Sequence, residues 1–388
     1  MKLRMIDYNS IKGKYVLLRV DFNVQIENGK ILDTFRIEQS MPTINKLRDA
    51  GARIAICAHL GRPKGVATPE LSLRPIADYM KIPFVDDCLK RDFMVGMRDG
   101  DIVLMENVRF YCGEEENDLA FAKKLATGFD LFINDAFAVA HRAAASTVGV
   151  AKILPAFAGE LLRAEVENIS RIMESPRRPL LAIVGGAKVS GKIGVLKTLC
   201  KLADTVIVGG ALGTTFNFAC GKNPGNSLYE PDMAATAREI MDVAAAHNCK
   251  FLMPIDKGVG ATFEKTAKRE NKNLDEITDA DVIIDDGPKT ADRNIDEINR
   301  AATVVWNGTF GMAEWGDVWG KTSFRVARAI AERTRAGKLV SVVGGGETVA
   351  AVDAAGVRGD MTYVSTGGGA FLEFVEGKTL PALEILMA

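Results

Sequence analysis

No charge of one sign dominates this chain of 388 residues: 49 Lys and Arg face 50 Asp and Glu, for a formal net charge of −1. A nucleic-acid-binding protein normally carries a clear basic excess, so a nucleic-acid partner is not expected. Cysteine and histidine are sparse. Cys57, Cys88, Cys112, Cys200, Cys220 and Cys249 form no CxxC, and none stands at metal-ligand spacing from His59, His141 or His247. The thiols are therefore expected to be reduced, as in a cytosolic protein. No apolar run approaches the ~20 residues of a membrane-spanning helix. The opening MKLRMIDYNS has no apolar signal core, which predicts a cytoplasmic protein with no membrane partner.

What the chain does have is globular. Hydrophobic residues make up 47% and charged residues 26%, enough apolar material for two ordinary cores. The length also suggests two domains, at roughly 100–200 residues each. Short apolar runs recur, many of them ending in Gly, Asp or Asn: 15–21, 53–59, 101–106, 130–135, 179–185, 205–209, 251–256, 282–287, 303–307 and 339–344. Helix-like stretches such as 40–50 and 322–336 lie between several of them. Buried strands alternating with helices predict α/β architecture, two Rossmann-like domains of mostly parallel sheet flanked by helices. Residues 160–174 interleave charged and apolar residues at helical spacing, and SPRRP at 175–179 then breaks the pattern. This reads as a linking helix over 159–175, between domains at 1–158 and 176–370.

Polar residues follow the first-half strands in a regular way. Asp21, Asn23, Arg36, His59, Gly61, Arg62, Asn107, Arg109, His141 and Arg142 all fall just beyond a strand. In open parallel sheets, ligands bind beyond the carboxyl ends of the strands. Arg36, Arg62, Arg109 and Arg142 at equivalent ends predict a small substrate bearing carboxylate and phosphate, which the planar guanidinium fork suits. Any one of these arginines is better read as an ordinary surface residue; four at equivalent ends are not.

The second half carries glycine-rich turns at 185–192, 344–347 and 365–369. Glycine lets backbone approach phosphate, and a following helix N-terminus supplies donors, so a nucleotide is expected. GAKVSGK at 186–192 fits GxxxxGK, but Ile193 stands where a P-loop needs its metal-binding hydroxyl. No GxGxxG with an acid about 20 residues on is present, which leaves a dinucleotide-binding site unsupported. Glu347, after three glycines, is the available hard ligand for a metal. An ordinary acid at a helix N-terminus explains it equally well.

Together the segments RVDFNV (19–24), HLGRP (59–63), ENVRF (106–110), NDAF (134–137), HRA (141–143), STVGV (146–150), GGAKVSGKI (185–193), DDGPKT (285–290), WNG (306–308), GGGETVAAV (344–352) and STGGGA (365–370) resemble phosphoglycerate kinase, in that family's order, from about residue 5 to 388. The resemblance implies reversible phosphoryl transfer between 1,3-bisphosphoglycerate and ADP, with Mg2+ bound alongside ADP or ATP, by hinge closure of a monomer. It implies a phosphoglycerate site at Asp21, Phe22, Asn23, Arg36, His59, Leu60, Gly61, Arg62, Arg109, His141 and Arg142. The nucleotide site would use Gly186, Ala187, Lys188, Lys192, Gly210, Glu314, Gly344, Gly345, Gly346, Glu347 and Thr348. Arg36, Lys188, Gly345 and Gly368 would serve catalysis, Glu347 would hold the metal, and a tail at 371–388 would return to the first domain. Gln25, Gly191, Thr309, Phe310, Glu347, Tyr363 and Phe371 depart from the family's usual residues. Most of these fall on the nucleotide side. They motivate an alternative, a non-catalytic phosphoglycerate-binding paralogue with a weakened nucleotide site.

Overall fold

The computed structural model describes residues 1–388. The chain divides into two compact units: Met1–Glu167 together with Thr379–Ala388, and Asn168–Lys378. The dividing point falls inside the helix Glu160–Glu174. The helix Gly369–Val375 belongs to the second unit, so the returning segment starts at Thr379 rather than at 371.

The first unit is a six-stranded sheet in the order Phe84–Val85, Ile102–Met105, Arg53–Cys57, Tyr15–Arg19, Leu131–Asn134, Ala156–Ala158. All its pairs are parallel. The central strands are buried on both faces, which is why they read as continuous apolar runs rather than alternating ones. The C-terminal segment joins this unit through backbone hydrogen bonds from Arg4 N–H to Leu386 O and from Ala382 N–H to Ala140 O.

The second unit has a parallel six-stranded sheet in the order Lys250–Leu252, Thr205–Val208, Leu180–Val184, Thr303–Asn307, Val340–Gly344, Tyr363–Val364. It also has an antiparallel three-stranded sheet with Asp256–Gly260 between Glu270–Asn273 and Val282–Asp286. The apolar run at 251–256 is thus divided between two sheets at Pro254. The run at 282–287 lies outside the parallel sheet. The helices Phe35–Asp49 and Lys321–Arg335 cover the predicted helical stretches. No helix is long and apolar enough to cross a membrane.

Candidate functional site

In the first unit, three of the four predicted arginines, Arg36, Arg109 and Arg142, lie near enough to His59 to act on it. The ring is buried, with 2% of its surface exposed. Its pKa is held well below the usual histidine value, first by burial and then by Arg19, Arg109, Arg36 and Arg142. A neutral imidazole facing four guanidinium groups marks a site of concentrated positive potential. Arg19 Nη2 lies 3.1 Å from His59 Nδ1. The guanidinium can only donate, so Nδ1 accepts and the ring proton sits on Nε2.

Arg19 is itself 1% exposed and would be a costly buried charge without partners. Its Nε donates to Ser146 Oγ at 2.7 Å, and Ser146 Oγ donates to Glu114 Oε1 at 2.6 Å. Glu114 also accepts from Ser146 N–H at 2.8 Å. A buried Arg–Ser–Glu chain therefore stands behind His59.

The surrounding turns are tied to one another. Arg36 pairs with Asp21, which also accepts from Asn23 N–H at 3.0 Å. Asn23 Oδ1 accepts from Gly61 N–H at 2.8 Å, and Arg109 Nη1 donates to Gly61 O at 2.8 Å. Asn107 Nδ2 donates to Leu60 O at 2.7 Å, and its Oδ1 accepts from Arg109 N–H at 3.0 Å. Arg142 Nε donates to His141 Nε2 at 3.2 Å. Arg62 is exposed. Phe22 and Leu60 place their side chains in the apolar core, so only their backbone is available to a ligand.

In the second unit the glycine turns meet at Asn307. Its Oδ1 accepts from Lys192 Nζ at 2.9 Å, and its Nδ2 donates to Gly344 O at 2.7 Å. Lys192 also donates to Gly185 O at 2.6 Å. Gly308 N–H donates to Thr348 Oγ1 at 2.6 Å. Burial pushes the Lys192 ammonium down to about 8, although Glu347 opposes the shift. The loop between the two lysines is held by Glu230, which accepts from Val189 N–H, Ser190 N–H (3.0 Å) and Ser190 Oγ. Those contacts hold the Glu230 carboxyl below its usual range.

Beside these turns opens a cleft. Gly186, Ala187, Gly210, Glu314 and Glu347 line it, and Leu228, Phe263, Ile284 and Met312 add apolar walls. The lining thus combines glycine backbone and carboxylates with apolar side chains, and Phe263 packs on Trp315 with ring centroids 4.9 Å apart. Lys188, like Glu347, is exposed. Gly345 and Gly368 directly precede the helices Gly346–Ala354 and Gly369–Val375. No three His, Cys, Asp or Glu side chains converge to hold an ion by themselves. A lone exposed carboxylate fits magnesium that keeps waters and takes its remaining ligands from nucleotide phosphates.

Sequence reasoning alone misses Asn307, Glu230 and the Arg19–Ser146–Glu114 chain. The WNG motif holds the one available signal for Asn307. Glu230 and Glu114 have none, because their partners are 32 to 41 residues away.

The family profile described as phosphoglycerate kinase matches residues 6–378. Phosphoglycerate kinase of Rhodopseudomonas palustris is 46% identical over 392 residues, covering 99% of this chain and 98% of that protein. That of Chelativorans sp. is 45% identical over 389 residues, covering 98% of each. The structure of phosphoglycerate kinase from Coxiella burnetii aligns with a TM-score of 0.85 at 42% identity, over 97% of this chain and 96% of that one. The enzyme from Pyrococcus horikoshii gives 0.84 at 29% identity with the same coverage.

Proposed function

The chain belongs to the phosphoglycerate kinase family, and we infer from its two sites that it transfers the acyl phosphate of 1,3-bisphosphoglycerate to ADP, reversibly, giving 3-phosphoglycerate and ATP. The observation that carries this reading is the gathering of Arg36, Arg109 and Arg142 beside buried His59, on turns beyond the parallel strands that are tied to one another. A triose with phosphate at one end and carboxylate or acyl phosphate at the other supplies the anions such a cluster is built to neutralise.

The acyl phosphate is already activated, so no covalent enzyme intermediate is required. A terminal oxygen of the ADP β-phosphate attacks phosphorus, the bond to the acyl oxygen breaks, and the 3-phosphoglycerate carboxylate leaves. The protein's work is positioning and charge stabilisation. Arg62 and Arg142 hold the non-reacting phosphate, and His59 Nε2–H donates to the substrate. Arg36 exchanges its Asp21 partner for the transferring group, whose equatorial oxygens carry dispersed charge. On the nucleotide side Lys188 lies against the transferring phosphoryl, and Lys192 with the glycine turns holds nucleotide phosphate. Glu314 takes the ribose. Glu347 would hold magnesium, which neutralises phosphate charge when bound with the nucleotide. With the two ligands on separate units, the reaction needs hinge closure, which also excludes water from the acyl phosphate.

Action as a cytoplasmic monomer on small molecules belongs to the same reading. Nothing in the nucleotide turns favours the non-catalytic alternative, because Lys188, Lys192 and a carboxylate at 347 are all in place. A coupled assay on purified protein with 1,3-bisphosphoglycerate, ADP and magnesium tests the proposal. Transfer that depends on magnesium is expected; folded protein with no transfer above background would overturn it.

A further inference from the structure

Behind the nucleotide cleft lies an ion pair from which water is wholly excluded. Lys257 Nζ donates to Asp286 Oδ1 at 2.6 Å, and both side chains are 0% exposed. Lys257 comes from the middle strand of the antiparallel sheet and Asp286 from the end of its neighbour. Replacing such a pair by apolar groups of similar volume is often neutral or stabilising, so stability alone explains it poorly.

Its contacts point elsewhere. Asp286 Oδ2 accepts from Gly210 N–H at 3.2 Å, and Lys257 Nζ reaches Gly210 O at 3.4 Å. Asp286 N–H donates to Phe310 O at 3.1 Å. Gly210, Ala211, Thr309 and Phe310 all line the cleft. Gly210 stands at φ +66°, and a Cβ on Gly209 would come within 2.3 Å of the Phe310 ring and 2.7 Å of Asp286 Oδ2. One residue thus ties two separate turns of the cleft wall: the Asp286 carboxylate holds Gly210, its backbone N–H holds Phe310 O, and Lys257 fixes the carboxylate.

We propose that Asp286 is a positioning residue for the nucleotide and that Lys257 is the counter-ion that lets its carboxylate be buried at the turn. They hold the Gly209–Gly210 turn against the Phe310 turn, so that the start of the helix Gly210–Ala219 keeps the shape that ADP needs. The inference rests on the nucleotide reading above. It also links two features of the sequence that look independent: charged residues inside otherwise apolar strands, and the unusual Thr309–Phe310 after WNG.

The test separates charge from geometry. Lys257→Met with Asp286→Asn discharges the pair but keeps an acceptor for Gly210 N–H. Lys257→Met with Asp286→Leu discharges it and removes the acceptor. The first double variant should retain ADP affinity within about threefold of wild type. The second should weaken it by about tenfold, the scale of one lost hydrogen bond, while KM for 3-phosphoglycerate stays unchanged in both. ADP affinity is read by calorimetry in the presence of magnesium and by KM. Should the leucine variant fail to fold, Lys257→Met with Asp286→Ala takes its place. Equal ADP affinity in the acceptor-keeping and acceptor-lacking variants overturns the proposal. Absence of ADP binding by wild type would instead indict the nucleotide reading.

Discussion

The two sites are built from different materials. The proposed phosphoglycerate side is made of charged side chains, with His59 held from behind by the buried Arg19–Ser146–Glu114 chain. The nucleotide side is made of backbone turns, tied by the side chains of Asn307, Thr348 and Glu230. A cation cluster can only be altered by changing charge. A backbone cradle tolerates changes in side chains so long as the turns keep their shape. Thr309 and Phe310 take part in this way, through backbone carbonyls that accept from Gly186 N–H at 2.9 Å and Asp286 N–H at 3.1 Å. Those contacts need no particular side chain.

The comparison is broken most directly at Arg36. Arg36→Ala removes the guanidinium proposed to meet the transferring group, and kcat should fall by roughly 10²-fold or more, the scale of a lost transition-state donor. Arg62→Ala, at an exposed position, should act mainly on KM for 3-phosphoglycerate. Steady-state kinetics of the two variants decide the matter. Small and equal effects would mean that the cluster does not divide its work as proposed.

The nucleotide-side counterpart is Glu347. Glu347→Ala should abolish most of the activity, because it removes the carboxylate proposed to hold the ion. Glu347→Asp should keep activity and shift its dependence on magnesium or manganese, since one methylene changes the approach to a near-octahedral ion. Activity against metal concentration for both variants is the measurement. Full activity in Glu347→Ala would show that the metal is held elsewhere.

A smaller effect concerns Lys192, whose pKa is pushed down to about 8 by burial. The folded value lies below the unfolded one of about 10.4. Folding therefore disfavours the charged form, and this cost is fully present below pH 8 and relieved as pH rises toward 10.4. Function runs the other way: only the ammonium attracts phosphate. KM for ADP should rise above about pH 8, approaching tenfold for each further unit once Lys192 is mostly neutral. Lys192→Arg, which stays charged, should flatten that limb. KM for 3-phosphoglycerate should not follow it, because Lys192 has no part in that site. A pH-independent KM for ADP in wild type would contradict the assignment.

Much of this arrangement is legible in the amino-acid sequence. Every buried parallel run from Tyr15–Arg19 to Val340–Gly344 announces itself, because strands covered on both faces are continuously apolar. The short edge strands Phe84–Val85, Ala156–Ala158 and Tyr363–Val364 do not, since two or three residues leave no pattern. Of the antiparallel sheet only Val282–Asp286 does: the strand Glu270–Asn273 has no buried residue, and the middle strand carries Lys257. Site positions are readable where they form motifs. The groups that hold them are not: Arg19 reaches Ser146 across 127 residues, and Lys192 reaches Asn307 across 115. Hydrogen bonds between distant segments leave no local periodicity to read.

The smallest expected effect tests the claim that the nucleotide cradle is a matter of backbone shape, using two glycines of one turn. Gly186 sits at φ +104°, and a Cβ there would lie 3.2 Å from Lys192 Nζ, so Gly186→Ala should strain the turn and displace the lysine. Gly191 has no positive φ, and a Cβ there meets nothing within 4 Å. At such a position a side chain costs no contact and reduces the freedom of the unfolded chain. Gly191→Ala should therefore stabilise the protein by about 0.5 kcal/mol, one or two degrees in Tm by order of magnitude, with KM for ADP unchanged. Gly186→Ala should lower Tm and raise KM for ADP. Thermal melts and ADP kinetics on the two variants provide the comparison. If Gly191→Ala loses ADP affinity while its melting temperature holds, the turn must change conformation when nucleotide binds, and a fixed cradle is the wrong description of this half of the site.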